Sequence, residues 1–449
     1  MTQPDAPRLP AARWSAWRVV WWFGFVSLAA DMVYEGARAM YGPLLASLGA
    51  TALVVGLVTG AGEAMALVLR LVFGPLADRT GRYWGLTIVG YGLTAVCVPL
   101  LAVTPFVGGA GLALAAVLIL LERSGKAVRS PSKSALLAHV AASVGRGRGF
   151  GVHKALDQVG AFAGPLVVAA VVAAAGAIWP GLLVLAVPGA VAMLLLAVLR
   201  ARVPDPSVYD PAPSDAPTPA PPRADGTAPR RGVRGWLADA VGSHLPRAFF
   251  AYAVAAGLMT GGLVTFGILG YHLTVAGLLP VAAVPVVYAG AMAVEALAAL
   301  GVGLVYDRRG AAVLTVVPLL VALVPVLALT RTPWVALAGV GVWGLAYGIQ
   351  DSTVKALVAE VVDAPRRASA YGVFAGIQGA FAVVGGLVSG WLYDRSVTGL
   401  VVLVAVSQLV ALGLLLRTLR SVRAGGAAGA PDASGASGAG VTRPEAPAG

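Results

Sequence analysis

The chain has 449 residues, of which 58% are apolar and only 12% are charged, and its mean hydropathy is +0.84. Soluble domains carry about twice that charged fraction, because they must cover themselves with a solvated surface. The composition therefore excludes an ordinary soluble globular protein and indicates a chain whose solvent is the lipid bilayer. The apolar runs are long and continuous, which favours transmembrane helices over the alternating strands of a membrane β-barrel.

Twelve apolar stretches are long enough to cross the ~30 Å hydrocarbon core of a bilayer as helices. Trp14, Trp17, Trp21 and Trp22 crowd the start of the first stretch, as aromatic residues do at a membrane interface. The fourth and tenth stretches are expected to project into the cytoplasm. The predicted spans are 18–47, 52–77, 84–104, 108–129, 149–175, 178–200, 246–271, 281–305, 312–330, 334–358, 368–393 and 398–418.

The spans divide into two groups of six. Between them, residues 202–234 are rich in Pro, Ala, Asp and Arg, which predicts a disordered linker because such a segment cannot bury a core. The stretch 235–242 that follows is expected to form a short interfacial helix. The predicted organisation is an N-terminal segment 1–17, a six-helix bundle 18–200, a cytoplasmic linker 201–245, a second six-helix bundle 246–420 and a disordered cytoplasmic tail 421–449.

Basic residues are concentrated on one side of the predicted topology. The loops on the opposite side hold only Arg331 and Arg395. Cytoplasmic loops retain positive charge, so both termini are predicted to be cytoplasmic in a multi-pass protein of the cell membrane. The net charge of +12 then follows from topology, and nucleic-acid binding is not expected. The basic residues of the predicted cytoplasmic side include Arg8, Arg13, Arg18, Arg79, Arg82, Lys133, Arg146, Arg148, Arg223, Arg230, Arg231, Arg234, Arg308, Arg309, Arg366, Arg367, Arg417, Arg420 and Arg423.

An internal repeat supports two related halves. Residues 130–167 align without gaps to residues 351–388 at an offset of 221, and the shared positions include Arg146 with Arg367 and Gly164 with Gly385. Some matches are expected between any two Ala/Val-rich helices. The shared arginine and glycines, together with the matching topology, favour duplication.

A charged motif closes the second predicted span, and a weaker copy closes the eighth. The first copy reads Gly74-Pro-Leu-Ala-Asp78-Arg79-Thr-Gly81-Arg82, and the second reads Gly303-Leu-Val-Tyr-Asp307-Arg308-Arg309-Gly310. In form and position both resemble the signature of the major facilitator superfamily. The resemblance covers residues 17–420 and implies an all-α fold with twelve transmembrane helices in two pseudo-symmetric six-helix bundles.

The resemblance also implies that this motif is a conformational latch. Asp78 is expected to reach the start of helix eleven, near Ala368–Tyr371, and a cation of helix four, while Asp307 mirrors this contact toward helix five. Physically, an aspartate at a membrane interface needs an arginine or a helix N-terminus as its partner. The alternative is a plain interfacial run of charges.

A second motif lies in the fifth span. Gly151, Gly160, Gly164 and Pro165 resemble the antiporter motif of the family, which is found mostly in exporters. The two glycines expected further along are Val168 and Ala169 here, so the match is partial. The motif favours export. The alternative is that these small residues only allow close helix packing.

Ionisable residues within the spans are candidates for the functional site, because each is costly in hydrocarbon unless it is paired or faces water. Asp31 lies roughly 20 Å along the first helix, and it resembles the helix-one aspartate of many family exporters. Glu35 and Glu63 are alternatives, and Arg70 follows Glu63 by seven residues on the same helix face. We expect these first-half carboxylates, and not Glu295, to carry proton coupling. The candidates for coupling or substrate binding are Asp31, Glu35, Arg38, Glu63, Glu122, Arg123, Asp157 and Glu295.

Structural salt bridges are the alternative for each candidate. Arg123 resembles the helix-four arginine of the family, but the Gln-Gly that commonly follows it is Ser124-Gly125-Lys126 here. Whether it relays protons therefore stays open.

These observations predict a secondary active transporter, not an enzyme, that works by alternating access. The leading hypothesis is proton-coupled efflux of a small, partly apolar molecule. One alternative is symport or uniport of an organic anion or metabolite, with Arg38, Arg123 and Lys126 lining a cationic cavity. Another is a membrane sensor that transports nothing. No cofactor or metal is expected, and the expected partners are the substrate, protons and lipid, with the protein as a monomer.

Overall fold

The computed structural model describes residues 14–210, 245–362 and 367–428, which form α-helices and short 3₁₀ turns without a β-strand. The first half contains α1 (Ala16–Arg38), α2 (Tyr41–Ser47), α3 (Ala52–Thr80), α4 (Tyr83–Leu100), α5 (Gly111–Val144), α6 (Arg146–Ala175), α7 (Ile178–Leu183) and α8 (Ala186–Arg202). The second half contains α9 (Arg247–Gly262), α10 (Phe266–Val275), α11 (Val284–Arg309), α12 (Val316–Ala328), α13 (Pro333–Val361), α14 (Arg367–Arg395) and α15 (Val397–Ala428).

Twelve membrane spans are formed by these helices. Ten helical segments of the described chain are long and apolar enough to cross a bilayer, and α5 and α13 complete the set with 34 and 29 residues. Three spans consist of two helices in series, namely α1 with α2, α7 with α8, and α9 with α10. The predicted all-α, two-bundle fold is confirmed, although the sequence analysis did not predict these breaks.

The break between α9 and α10 follows from its local sequence. Two glycines end α9, and Leu263 and Thr265 adopt extended backbone angles. The indole Nε1 of Trp343 donates a hydrogen bond to the carbonyl oxygen of Val264 at 2.9 Å. A non-helical backbone is tolerated inside a membrane protein where neighbouring groups satisfy it in this way.

The aligned repeat corresponds to equivalent helices. Arg146 is the first residue of α6 and Arg367 is the first residue of α14, at the spacing that the sequence alignment predicted. Each of these helices also packs across the molecule, α6 against α11 and α14 against α3. The helices α3 and α6 of the first half and α11 and α14 of the second half therefore supply a large part of the contact between the bundles.

Glycines form the contact between α3 and α14. A Cβ atom at Gly386 would overlap the backbone oxygen of Gly56, and one at Gly60 would overlap the backbone of Ala382. Because neither helix has a side chain at these points, the two backbones approach closely. This contact between α3 and α14 extends toward the end of the bundle where α2 packs on α10. We call that end the distal end and the opposite end, where α8 leaves for the linker, the linker end.

Gly386→Ala should weaken the association of the halves, because the new methyl group would meet backbone that cannot rotate away. Overpacking of this kind costs about 1–3 kcal/mol. The matched control is Gly413→Ala in α15, where an added Cβ meets open space. Thermal unfolding of the two purified variants in detergent measures the difference, and equal midpoints would contradict the close contact.

The start of the linker is ordered, which corrects the expectation of disorder from residue 202. A 3₁₀ turn at Pro206–Tyr209 lies on the first bundle, where Tyr209 Oη donates to the carbonyl oxygen of Trp14 at 2.7 Å. Trp84 Nε1 donates to the carbonyl oxygen of Pro204 at 3.0 Å. These anchors are aromatic side chains from distant parts of the sequence, which the composition of the linker does not indicate.

Two other predictions concern the chain outside the bundles. The helix α15 continues to Ala428, so the tail predicted from residue 421 begins with helix, in keeping with the Ala and Arg residues there. The interfacial helix expected at 235–242 lies outside the described residues.

Candidate functional site

A cavity with an empty volume of about 1160 Å³ lies between the two halves. It is lined by α1, α3, α5 and α6 of the first half and by α11 and α13 of the second. Lys154, whose side chain is 66% exposed, marks its opening toward the linker end. Six cationic side chains and six carboxylates line this central cavity, so their formal charges balance: Arg38, Arg70, Lys126, Arg129, Lys133 and Lys154 against Asp31, Glu35, Glu63, Asp157, Glu295 and Asp351.

Arg38 joins two carboxylates at the inner end of this cavity. Its Nη2 atom lies 2.7 Å from Glu63 Oε1, and its Nη1 atom lies 3.7 Å from Glu35 Oε2. The guanidinium also stands 5.4 Å from the ring centroid of Tyr347 in the second half. A planar guanidinium suits such multiple contacts, which a lysine in the same place would not reproduce.

Arg123 and Glu122 form a buried pair beside the cavity. Their side chains are 3% and 0% exposed, and Arg123 Nε lies 3.6 Å from Glu122 Oε2. Arg123 also donates to Tyr34 Oη, and Glu122 accepts a hydrogen bond from Tyr41 Oη at 3.2 Å. Arg123 Nη1 also lies 3.7 Å from Oε1 of Glu63, which lines the cavity, and a role of the pair in proton relay stays a prediction. Neither residue lines the cavity.

Two further carboxylates are paired nearer the linker end. Asp31 Oδ1 lies 3.6 Å from Arg129 Nη2. Asp157 Oδ2 lies 3.7 Å from Lys154 Nζ, and its Oδ1 lies 4.0 Å from Lys133 Nζ and accepts a hydrogen bond from Ser27 Oγ at 2.5 Å. Every first-half candidate of the sequence analysis thus belongs to an ion pair, and the pairs form three groups: Glu35, Arg38, Glu63, Arg123 and Glu122 are connected through shared partners, Asp31 pairs with Arg129, and Asp157 pairs with Lys133 and Lys154.

Glu35 forms a hydrogen bond to the second half in addition to its ion pairs within the first half. Its Oε2 accepts a hydrogen bond of 2.5 Å from Tyr288 Oη on α11, while its Oε1 lies 4.0 Å from Lys126 Nζ. The carboxylate thus links the charges of the first bundle to a side chain that belongs to the other bundle. Glu35 and Tyr288 are 253 residues apart, which explains why this contact could not be predicted from the sequence.

Two charged residues of the central cavity stand outside the ion pairs found in the described part of the chain. Among the described residues, Arg70 on α3 and Glu295 on α11 have no oppositely charged partner within 4.0 Å. The buried Nε of Arg70 also lacks a hydrogen-bond acceptor. Arg70 stands two turns from Glu63 on one helix face, and that spacing was the sequence signal for its place in the cavity.

A second cavity, with an empty volume of about 900 Å³, adjoins the first and shares Arg38, Glu63 and Tyr347 with it. Its other walls come largely from the second half and, apart from Asp351, are uncharged. Gln350 Nε2 donates to Thr260 Oγ1 at 2.7 Å, while the buried Oε1 of Gln350 has no donor. Sequence reasoning missed these residues because it sought charges. No cluster of His, Cys, Asp and Glu suited to a metal ion occurs in the part of the chain that the structure describes.

Comparison with known proteins identifies the family. The sequence profile of the Major Facilitator Superfamily matches residues 23–379. The chain belongs to the Major Facilitator Superfamily. The uncharacterized protein Rv2265 of Mycobacterium tuberculosis is 51% identical over 399 residues, which is 89% of this chain and 92% of that one.

Solved structures support the same fold. The nucleoside transporter NupG superposes with a TM-score of 0.62 at 16% identity, covering 90% of this chain and 98% of its own. The peptide transporter POT in complex with sulfate superposes with a TM-score of 0.66 at 16% identity, covering 91% of this chain and 94% of its own. The fold and family are thus those of membrane transporters.

The signature motif of the superfamily lies at the turn between α3 and α4. Gly81 ends α3 with a φ of +62°, a backbone conformation that favours glycine and allows the tight turn into α4. Asp78 is exposed and accepts a hydrogen bond from Tyr83 Oη at 3.0 Å. Among the described residues it has no cationic partner within 4.0 Å, and its expected role as a latch stays a prediction.

The remaining motif residues are placed as follows. Gly74 has open space beside it except for Pro131 at 3.9 Å from a built Cβ, and Arg79, Arg82 and Arg308 are exposed at the linker end. The side chain of Asp307 and those at 367–369 lie outside the described residues, so the mirrored contact stays a prediction.

The glycine motif of the fifth predicted span lies on α6 and packs this helix against α1. A Cβ atom at Gly160 would overlap the backbone of Leu28, and one at Gly164 would overlap that of Met32. Pro165 is buried within α6, whereas Gly151 is exposed and has no neighbour within 4 Å of a built Cβ. Close packing accounts for Gly160 and Gly164, and the functional reading of the motif stays a prediction.

An aspartate at the distal end fastens the two halves. Asp394, at the end of α14, accepts hydrogen bonds from the backbone N–H groups of Ala52 at 3.3 Å and Leu53 at 3.2 Å. These N–H groups open α3, where a carboxylate is favoured by the helix dipole. The contact is a distal counterpart of the latch expected at Asp78, and the sequence analysis did not identify it.

Asp394→Asn should loosen the distal contact, because the amide carries no charge and presents one acceptor oxygen where the carboxylate presents two. Losing such a cap costs about 1 kcal/mol, which corresponds to roughly a fivefold change in the open population. The measurement is labelling of Leu263→Cys, placed in a Cys97→Ser background, by an impermeant maleimide added at the distal side. Arg417→Gln, which removes an exposed charge of α15 near the linker end, is the control and should leave the rate unchanged. Equal rates for Asp394→Asn and its parent would contradict the assignment.

Proposed function

We propose that this protein exports a small molecule in exchange for protons, as a secondary active transporter that works by alternating access. The observation that carries the proposal is the central cavity, which both bundles line with charged side chains and which opens toward the linker end. Movement of one bundle against the other around a site between them is how such folds move a solute.

The proposed orientation places the linker end in the cytoplasm. The basic residues of the predicted topology lie at that end, among them Arg79, Arg82 and Arg308. Both termini are then cytoplasmic, and the central cavity faces the cytoplasm in the present conformation. A cavity open to the cytoplasm is where an exporter takes up its substrate.

Proton coupling is assigned to Glu35. Protonation would remove its charge from the pair with Arg38 and would change the hydrogen bond that Tyr288 donates to it. One proton therefore alters a contact between the two bundles, which is what coupling to their movement needs. Asp31 and Glu63 pair only within the first half, so they are second choices.

The geometry favours export of a polar or amphipathic molecule over the alternative of an organic anion. Arg38, Arg123 and Lys126 were expected to form a cationic surface, yet each has a carboxylate within 4.0 Å. Their positive charge is thereby compensated. The aromatic rings of Trp343 and Tyr347, stacked at 5.2 Å, give the adjoining cavity an apolar wall.

The test is proton movement in proteoliposomes. Purified protein would be reconstituted with a pH-sensitive dye inside, and amino acids, dipeptides and amphipathic drugs would be added one at a time across a pH gradient. We expect at least one compound to drive protons in the direction opposite to its own movement, with no signal from protein-free vesicles. A compound and protons moving together would refute exchange, and binding without any movement would support the sensor hypothesis.

A further inference from the structure

The unpaired charges of the central cavity suggest which class of molecule it takes. Arg70 and Glu295 carry opposite charges, belong to opposite halves and line the same cavity. The other ten charged residues of the lining include the closely paired Arg38 and Glu63 at 2.7 Å. Two unpaired ionisable groups inside a membrane protein are costly, and they are characteristic of places that bind a ligand.

We infer that the substrate is a zwitterion of the amino-acid or short-peptide type, bound with its carboxylate at Arg70 and its ammonium at Glu295. This inference rests on the proposed function, because it takes the central cavity as the substrate site. A guanidinium with a free Nε–H can hold a carboxylate through two parallel hydrogen bonds. The Nε of Arg70 has no acceptor within the described chain and is available for this contact.

The charge balance of the lining supports a substrate without net charge. The lining already contains equal numbers of formal cations and anions. An organic anion would satisfy Arg70 and leave Glu295 facing a like charge, and an organic cation would do the reverse. A zwitterion satisfies both groups and adds no net charge, which is the least costly arrangement where few waters remain.

The adjoining cavity indicates the same orientation. The buried Oε1 of Gln350, in the second half, is an acceptor without a donor. An ammonium or peptide N–H group supplies that donor, whereas a carboxylate does not. The unmet acceptors Glu295 and Gln350 therefore lie on the second half, and the unmet donor Arg70 lies on the first. A molecule that spans both would also draw the two halves together.

Thermal stabilisation of the purified protein in lipid nanodiscs tests the inference. The probes are dialanine and the common α-amino acids, each with its N-acetyl derivative, its amide and the doubly blocked neutral form. We expect at least one zwitterion to raise the midpoint of unfolding, and its singly blocked derivatives to bind about tenfold to a hundredfold more weakly, since each loses one charged contact.

Variants then assign each end of the probe. Arg70→Gln should bring the affinities of the zwitterion and its amide together, while Glu295→Gln should do so for the zwitterion and its N-acetyl derivative. Arg417→Gln removes an exposed charge outside the cavity, and it should leave both differences in affinity as they are in the parent protein. The inference is overturned if no zwitterion stabilises the protein, if the doubly blocked form binds as tightly, or if Arg70→Gln weakens all four forms equally.

This binding assay uses no proton gradient, so its outcome is independent of proton exchange. Zwitterions that bind with the expected pattern but never drive protons outward or inward would refute the proposed exchange and leave the substrate class standing. Proton exchange with a compound whose binding ignores both charges would refute the substrate class alone.

Discussion

Arg123→Met should destabilise the protein by about 3–5 kcal/mol, the largest effect on stability that we expect from a single substitution in the charge network. The side chain of Glu122 is fully buried and lies 3.6 Å from Arg123 Nε. Without the guanidinium, that carboxylate would remain enclosed with only Tyr41 and Thr94 as hydrogen-bond donors. Thermal or denaturant unfolding in detergent measures the loss.

A second variant separates this explanation from a simple loss of packing. Adding Glu122→Gln to Arg123→Met removes the stranded charge, so the double variant should recover part of the lost stability. Arg395→Met, which removes an exposed arginine from the distal end, should remain within about 0.5 kcal/mol of the parent protein. If the double variant is less stable than Arg123→Met, the stranded carboxylate is not the cause.

Glu35→Gln should abolish proton-driven accumulation while leaving exchange of substrate across the membrane. The glutamine keeps the size of the side chain and can still accept the hydrogen bond from Tyr288, but it cannot gain or lose a proton. We expect accumulation against a gradient to fall at least tenfold, on the order of the effect of one lost acid–base group. The measurement compares counterflow of a transported compound with its accumulation under an imposed pH gradient.

Glu295→Gln is the comparison for this prediction. It removes a carboxylate from the same cavity, and it should weaken binding while the proton remains coupled to movement. If Glu295→Gln uncouples the transporter and Glu35→Gln does not, coupling belongs to the second half. If both uncouple it, the two carboxylates share the proton.

The fold could be predicted from sequence because the bilayer imposes strong requirements on it. A run such as 149–175 must be helical, since no other local structure satisfies its backbone in hydrocarbon, and it lies within the continuous helix α6. The position of Arg146 relative to Arg367 fixed the relation of the two halves before any contact was known. The breaks were harder to predict, because the extended backbone at Leu263 depends on Trp343, which comes from another helix.

The sequence predicted most of the charged residues of the candidate site but not the contacts between them. Charged residues in apolar helices were recognisable one by one, and all of the first-half candidates proved to be members of ion pairs. Their pairing could not be predicted: Arg38 lies 25 residues from Glu63, on a different helix. The sequence contains no pattern that indicates the contacts of Gln350 or of Asp394, because single polar residues in helices are common.

The balanced lining of the central cavity has an electrical consequence. A charge that crosses the membrane field gains or loses about 2.3 kcal/mol for every 100 mV. The lining holds as many formal cations as carboxylates. The protein without bound substrate should therefore switch between its inward-open and outward-open conformations without carrying net charge through that field. Any current recorded during turnover would then report the proton, and the return step of the unloaded protein should run at the same rate at every membrane voltage.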